Sequence, residues 1–125
     1  IYRLDPSLIV FSQPDTLIEQ AAKSVGLPGL TLFLADRAYD ATGRLVPRGK
    51  PGAVIKEEGA VRGRVRQFLQ EGTVTTIEGY PLAVRARSIL VHSDTPGSLA
   101  LAKIVRSEIE ACGGIVAPAA EVLQQ

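Results

Sequence analysis

The alternation of apolar and polar stretches along the chain predicts strands and helices in turn. Short continuous apolar runs, typical of strands that are buried on both faces, occur at residues 7–11 (SLIVF), 30–34 (LTLFL) and 88–91 (SILV). Between the first two runs, Pro14-Asp15-Thr16 and apolar residues at helical spacing predict a helix, which Gly26 ends. A strand, a helix and a strand with short connections form a βαβ unit, so we expect the first two strands to be parallel.

The second half of the chain is predicted to contain two longer helices and a hairpin. Residues 57–70 and 98–112 each carry an apolar stripe at helical spacing, and glycines follow both segments. Residues 73–77 and 81–86 alternate in polarity on either side of a Glu-Gly turn. This pattern is typical of a small antiparallel hairpin outside the main sheet. The order of the elements predicts an α/β domain.

The start and the end of the last long helix lead to further expectations. Asp94 or Thr95 is expected to cap the helix, with Pro96 at its first position. Cys112 is expected to face the core. Residues 115–117 are expected to form a last short strand, and the tail from Pro118 is expected either to form a helical turn or to be frayed.

Length and composition are those of one soluble globular domain covering residues 1–125, with 46% apolar and 22% charged residues. A net charge of +1 argues against a surface that coats nucleic acid, and Arg62, Arg64 and Arg66 are assigned to a solvated helix face. No apolar run approaches the ~20 residues of a membrane-spanning helix. We therefore expect neither nucleic acid nor a membrane as a partner.

The single cysteine excludes an internal disulfide framework and is consistent with a reducing compartment, so we expect a cytoplasmic protein. One cysteine and one histidine do not form a zinc site of the usual ligand count, and whether a metal binds is left open. The absence of methionine and the start at Ile1 suggest a processed or truncated chain.

Polar residues follow two of the predicted buried strands, where ligand-binding groups gather in α/β sheets. Asp36 and Arg37 come directly after the second strand, and His92 follows the third. Asp36 is a candidate base or orienting carboxylate, and Arg37 either clamps an anion or forms a local ion pair. His92 is either a general acid/base or oxyanion donor, or a structural histidine.

The long segment 35–55 between the second strand and the next helix shows neither helical nor strand periodicity, as is usual for functional or disordered loops. Tyr39 is either a hydrogen-bonding site residue or an amphipathic cover for this loop. Arg48 lies between prolines, and Gly52 allows backbone amides to approach a ligand closely. This part of the loop is therefore either an anion site or an ordinary turn-rich surface.

The chain resembles the carboxyl-terminal half of the LamB/YcsF family, the A subunits of bacterial-type, ATP-dependent 5-oxoprolinase. The resemblance rests on ADRAYDATGRLVPRGKPGAVI and on SILVHSDTPG, which match a family pattern of ADR-x-Y, G-x-L-V-x-R-x-x-PGA and HGD-x-PG. Two positions depart from it: Leu32 replaces a glutamate, and Ser93 replaces the glycine of HGD. The family's amino-terminal motifs, N-C-D-x-G-E and K-P-H-G-A-L-Y, do not occur in this chain.

The resemblance implies the carboxyl-terminal portion of an irregular (β/α)7 TIM-like barrel, similar to glycoside hydrolase and deacetylase barrels, with the hairpin as an excursion. It implies ATP-dependent ring opening of 5-oxo-L-proline to L-glutamate, with the other 5-oxoprolinase subunits as partners. The implied catalytic residues are His92, Asp94 and Asp36. The implied substrate- and anion-binding residues are Arg37, Tyr39, Arg48, Gly52 and Thr95.

Other interpretations remain open at this point. Half of a barrel leaves strand edges unpaired, which favours self-association. A non-enzymatic α/β interaction module would bind a partner through the same edges. A polysaccharide-deacetylase-like amide hydrolase is a further alternative by analogy of fold, which does not determine function.

Overall fold

Five short strands and four helices make up the regular structure of the described residues, 1–94 and 96–124, in the computed structural model. In chain order they are β1 (Val10–Ser12), α1 (Leu17–Ser24), β2 (Gly29–Leu34), α2 (Glu58–Glu71), β3 (Thr73–Thr75), β4 (Pro81–Ala83), β5 (Ser88–Leu90), α3 (Ser98–Ala111) and α4 (Ala119–Leu123). The α/β class predicted from the sequence is confirmed. The chain divides into two compact units.

Unit 1 comprises Ile1–Phe33, Arg85–Ile89 and Ala117–Gln125. It contains most of an open three-stranded sheet in the order β1-β2-β5. β1 and β2 are parallel, with Val10 opposite Gly29 and Ser12 opposite Thr31. The predicted βαβ unit is confirmed. A closed barrel remains a prediction.

The helix of this βαβ unit begins and ends where the sequence predicts. Thr16 is the N-cap, and its hydroxyl oxygen accepts a hydrogen bond from the backbone N–H of Glu19 at 3.3 Å. After the C-cap Val25, Gly26 takes a φ of 78°, in the left-handed region where glycine carries no Cβ penalty. Leu17 and Ile18 on the first turn are nevertheless exposed.

The first strand differs from its prediction. The apolar run at 7–11 was expected to be a strand buried on both faces, but β1 covers only Val10–Ser12 and Phe11 is 48% exposed. β1 lies at one end of the sheet order, so one of its sides has no strand beside it. An edge position gives the same apolar sequence pattern as a central one, which explains the error.

Unit 2 comprises Leu34–Val84 and Leu90–Val116, and its core lies between α2 and α3. Val61 and Val65 of α2 are fully buried. Leu101 and Val105 of α3 are 2% and 6% exposed. Glu57 caps α2, because its carboxylate accepts hydrogen bonds from the N–H groups of the first turn. The predicted helices are confirmed, with boundaries shifted by about one residue.

The hairpin of β3 and β4 is antiparallel and forms its own two-stranded sheet, as predicted. Thr73 pairs with Ala83 and Thr75 with Pro81, while Gly79 in the turn has a φ of 90°. Both strands are shorter than the predicted segments 73–77 and 81–86. Val74 is completely buried, so the hairpin is part of the core of unit 2.

Three expectations for the carboxyl-terminal part are wrong. Asp94 does not cap α3: the N-cap is Gly97, with a φ of 86° and no side-chain hydrogen bond, and Thr95 lies outside the described residues. Cys112, the C-cap of α3, is exposed and not in the core, since apolar spacing within a helix does not determine what packs against its last turn. Residues 115–117 form no strand, whereas the predicted terminal helical turn is present as α4.

Candidate functional site

Asp36 and His92 meet just beyond the ends of β2 and β5. Both carboxylate oxygens of Asp36 lie 2.9 Å from Nδ1 of His92. The backbone N–H of His92 also donates to Oδ2 of Asp36, again at 2.9 Å. The structure therefore brings together two of the residues that the sequence singled out after separate strands.

The chemistry of this pair follows from its donors and acceptors. An ionised carboxylate only accepts hydrogen bonds, so Nδ1 of His92 is the donor in this contact, and Nε2 takes no part in it. The Asp36 side chain is 2% exposed and that of His92 is 23% exposed. A buried carboxylate thus orients a partly exposed imidazole, an arrangement suited to general acid/base chemistry.

The loop that follows Asp36 is folded, although it shows no periodicity in the sequence. Isolated antiparallel bridges join Arg37 to Val54 and Tyr39 to Leu45. The Asp40 carboxylate accepts hydrogen bonds from the N–H groups of Thr42 and Arg44, which closes the tip. A small apolar cluster lies beneath the loop and consists of Ala38, Val46 and Ala53, with Ile55 packed against it.

Arg37 holds this loop together from inside. It is 7% exposed, and its guanidinium donates to the carbonyl oxygens of Val46 at 2.7 Å and Ala53 at 3.3 Å. Asp36 pairs with His92 instead, so the local ion pair considered for Arg37 is not the arrangement found. In this structure Arg37 cross-links the base of the loop through backbone carbonyls.

Tyr39 is buried at the base of the same loop. Its hydroxyl oxygen accepts a hydrogen bond from the backbone N–H of Leu34 at 3.0 Å. Burial raises the pKa of the Tyr39 hydroxyl above its ordinary value, against smaller opposing effects of the Leu34 N–H and of the charges of Arg64 and Arg37. The ring thus covers and fastens the start of the loop.

The other predicted site residues have different surroundings. Arg48 and Asp94 are exposed, and Thr95 lies outside the described residues. Gly52 is exposed with a φ of 78° and lies in the second of two successive turns, which are closed by hydrogen bonds from the N–H of Lys50 to the carbonyl oxygen of Pro47 and from the N–H of Ala53 to that of Lys50. Within the described part of the chain, no hydrogen bond or ion pair joins Arg48 or Asp94 to Asp36 or His92.

The sequence predicted Arg62, Arg64 and Arg66 on a solvated helix face, and this holds only in part: the side chains of Arg62 and Arg66 are about half exposed, yet both form ion pairs. Arg62 and Arg66 both bind the carboxylate of Glu108 on α3, which is 2% exposed, and the Arg66 contact measures 3.0 Å. Burial raises the pKa of Glu108, but the hydrogen bonds and charges of the two guanidinium groups outweigh it and hold that pKa below its ordinary value. These residues join α2 to α3.

Arg64 points to a different part of unit 2. Its guanidinium donates to the carbonyl oxygens of Ala35, Arg37 and Thr75. Burial lowers the pKa of Arg64 from its ordinary value, with a smaller opposing effect of Tyr39. Sequence reasoning missed this role, because backbone carbonyl acceptors leave no trace in the residue pattern.

A signal for the ion-pair cluster was present in the sequence of α3. The residues of α3 that are buried are Leu101, Ile104, Val105 and Glu108, which follow the spacing i, i+3, i+4 and i+7 of one helix face. A glutamate at the last of these positions is a buried charge, and buried charges are paired. Arginines at matching spacing on α2 are the natural partners.

A cavity of about 330 Å³ in unit 1 contains none of the predicted site residues; Ser12, Lys23, Leu27 and Thr31 are among its lining. Among residues 1–94 and 96–124, no group of three or more histidine, cysteine, aspartate or glutamate side chains is placed to hold a metal ion. Of the helices in that range, none combines the length and the apolar character that crossing a bilayer requires.

Comparison with known proteins identifies the family. The model of the LamB/YcsF family matches residues 1–124. The chain belongs to the LamB/YcsF family. The resemblance seen in the sequence motifs is thereby confirmed.

Several LamB/YcsF relatives are named as A subunits of 5-oxoprolinase. The one from Pectobacterium atrosepticum is 72% identical over 123 residues, which cover 98% of this chain and 48% of the relative. The second 5-oxoprolinase A subunit of Agrobacterium fabrum is 63% identical over 121 residues, which cover 97% of this chain and again 48% of the relative. The chain thus spans about half the length of the curated relatives it matches.

A solved structure shows the same fold. The crystal structure of a lactam utilization protein from Thermus thermophilus superposes with a TM-score of 0.83 at 31% identity. The match covers 92% of this LamB/YcsF chain and 45% of the Thermus chain.

Proposed function

We propose that this chain acts as part of the A subunit of an ATP-dependent 5-oxoprolinase, which opens the ring of 5-oxo-L-proline to give L-glutamate. Family membership and the names of the relatives support this proposal. So does the lactam utilization protein among the structural neighbours. The partners of the chain would then be the other 5-oxoprolinase subunits, and its location the cytoplasm.

The contact between Asp36 and His92 is the observation that supports the proposed chemistry. A lactam carbonyl is a poor electrophile, and ATP would activate it by transferring its terminal phosphoryl group to the carbonyl oxygen, with release of ADP. Addition of water and cleavage of the C–N bond then open the ring, and the phosphoryl group leaves as phosphate. The remaining steps need a group that takes a proton from attacking water and delivers one to the ring nitrogen as it leaves. With its Nδ1 proton held by Asp36, His92 has Nε2 available for both transfers.

Arg48 is exposed on the turns around Gly52, so we assign it to the negative groups of 5-oxoproline and ATP. Thr95, which lies outside the described residues, is assigned to the same groups from the resemblance of its sequence motif to the family pattern. Asp94 is exposed two residues after His92 and is assigned a supporting role in proton transfer. Arg37 and Tyr39 shape the loop, since both are buried and bonded to backbone groups.

Replacement of His92 by alanine tests this assignment. In the full-length protein with its partner subunits, we expect His92→Ala to lower 5-oxoproline-dependent glutamate formation about ten- to a hundredfold, the usual contribution of an acid/base group. Arg106→Ala is the control, because Arg106 lies exposed on α3 and pairs only with the exposed Glu110 in the described structure. Unchanged turnover in His92→Ala would remove the imidazole from the chemistry.

A further inference from the structure

Two hydrogen bonds of Arg64 reach the segment that carries Asp36. Nη2 of Arg64 donates to the carbonyl oxygen of Arg37 at 2.8 Å, and Nε donates to that of Ala35 at 3.4 Å. Ala35 directly precedes Asp36 in the chain, and Arg37 directly follows it. The third bond, from Nη1 to the carbonyl oxygen of Thr75 at 3.1 Å, ties the same guanidinium to β3.

The segment held by Arg64 is also linked to the strand that leads to His92. The backbone N–H of Ala35 donates to the carbonyl oxygen of Leu90 at 3.1 Å, and Leu90 is the last residue of β5. Two residues later, His92 meets the Asp36 carboxylate through both its backbone N–H and its ring. Any shift in the backbone around Asp36 therefore changes the contact with the imidazole.

We propose that Arg64 is a positioning residue, which holds the Asp36 carboxylate in place against the ring of His92. Its part in turnover rests on the proposed function; its effect on the contact does not. A guanidinium presents five N–H donors in a rigid plane and serves three carbonyl oxygens at once, which a lysine ammonium on a flexible stem does not. Arg64 also lies in the middle of α2, and a regular helix is a rigid support for such a contact.

Hydrogen exchange tests the proposal independently of any reaction. The backbone N–H of His92 bonds to Asp36, so its exchange rate reports directly on the contact. In the full-length protein, we expect Arg64→Met to accelerate exchange at this amide about tenfold, on the scale of one lost hydrogen bond to a charged group. The interior amides of α3 should change little.

Arg66→Met is the matched control, because Arg66 lies on the same helix as Arg64 and its replacement removes an ion pair with Glu108 on α3. We expect it to leave the His92 amide unchanged. Arg64→Lys keeps the charge and loses the planar arrangement of donors, so we expect exchange as fast as in Arg64→Met. Exchange at the wild-type rate in Arg64→Met, or an equal acceleration throughout unit 2, overturns the proposal.

The same variants are then assayed for 5-oxoproline-dependent ATP hydrolysis with the partner subunits. We expect kcat of Arg64→Met to fall about ten- to a hundredfold with KM nearly unchanged, because a misplaced orienting group affects the reaction more than binding. A wild-type kcat together with faster exchange overturns the positioning role. Absence of turnover in the wild type contradicts the proposed function alone, since the exchange result still decides on Arg64.

Discussion

At the scale of single residues, Tyr39 shows how a buried hydroxyl makes the fold sensitive to pH. Its hydroxyl accepts the N–H of Leu34, and burial raises its pKa above the ordinary value. A group whose pKa is raised in the folded state contributes fully to the free energy of unfolding below its pKa in the unfolded chain, which is about 10 for tyrosine. This contribution is lost as pH rises through the pKa of the folded state. We therefore expect the free energy of unfolding to fall above about pH 10.

Replacement by phenylalanine separates this effect from general alkaline unfolding. Tyr39→Phe removes the acceptor of the Leu34 N–H, which should lower the free energy of unfolding by about 1–3 kcal/mol near pH 7. The part of the decrease in the free energy of unfolding at alkaline pH that is due to Tyr39 should be absent in this variant. Tyr80→Phe is the control, because Tyr80 is 65% exposed. Equal effects of the two substitutions in urea titrations would contradict this account.

At the scale of elements, the contact between α2 and α3 depends on one buried carboxylate. Glu108 binds Arg62 and Arg66, and its pKa is held below the ordinary value. A lowered pKa gives stability that is present above the unfolded value, about 4.3, and lost as pH falls through the folded value. The acid limb of the stability curve should therefore begin below about pH 4.

Glu108→Gln measures the strength of this contact. Because both arginine side chains are about half exposed, we expect a loss of about 1–3 kcal/mol, less than the 3–5 kcal/mol of a fully buried pair. Glu110→Gln on the same helix removes an exposed pair with Arg106 and should change stability by less than about 0.5 kcal/mol. Similar losses in the two variants, measured by urea unfolding at pH 7, would show that burial of Glu108 has no energetic consequence.

At the scale of the whole molecule, the sequence predicted those features that depend on local signals. The βαβ unit follows from apolar runs around the Thr16 cap and Gly26, and the hairpin follows from the turn at Gly79. The proximity of Asp36 and His92 was expected because both residues follow strands of an α/β fold. These features can be predicted from the order of residues along the chain alone.

Contacts that depend on packing between elements were not predictable in the same way. Arg64 was assigned to solvent because its acceptors are carbonyl oxygens, which every residue carries. Cys112 was assigned to the core from its helical spacing, and Phe11 because an edge strand shows the same apolar pattern as a central one. In each case the deciding contact lies outside the local sequence.

We propose that Asp36 and His92 act as one unit in ATP-dependent lactam hydrolysis, and a double-mutant cycle measures this coupling. The variants are Asp36→Asn, His92→Ala and their combination, in the full-length protein with its partner subunits, assayed for 5-oxoproline-dependent ATP hydrolysis. Groups that act together lose their effects non-additively. We predict that the double variant is no slower than the slower single variant; losses that multiply, or single variants with wild-type turnover, would contradict the claim.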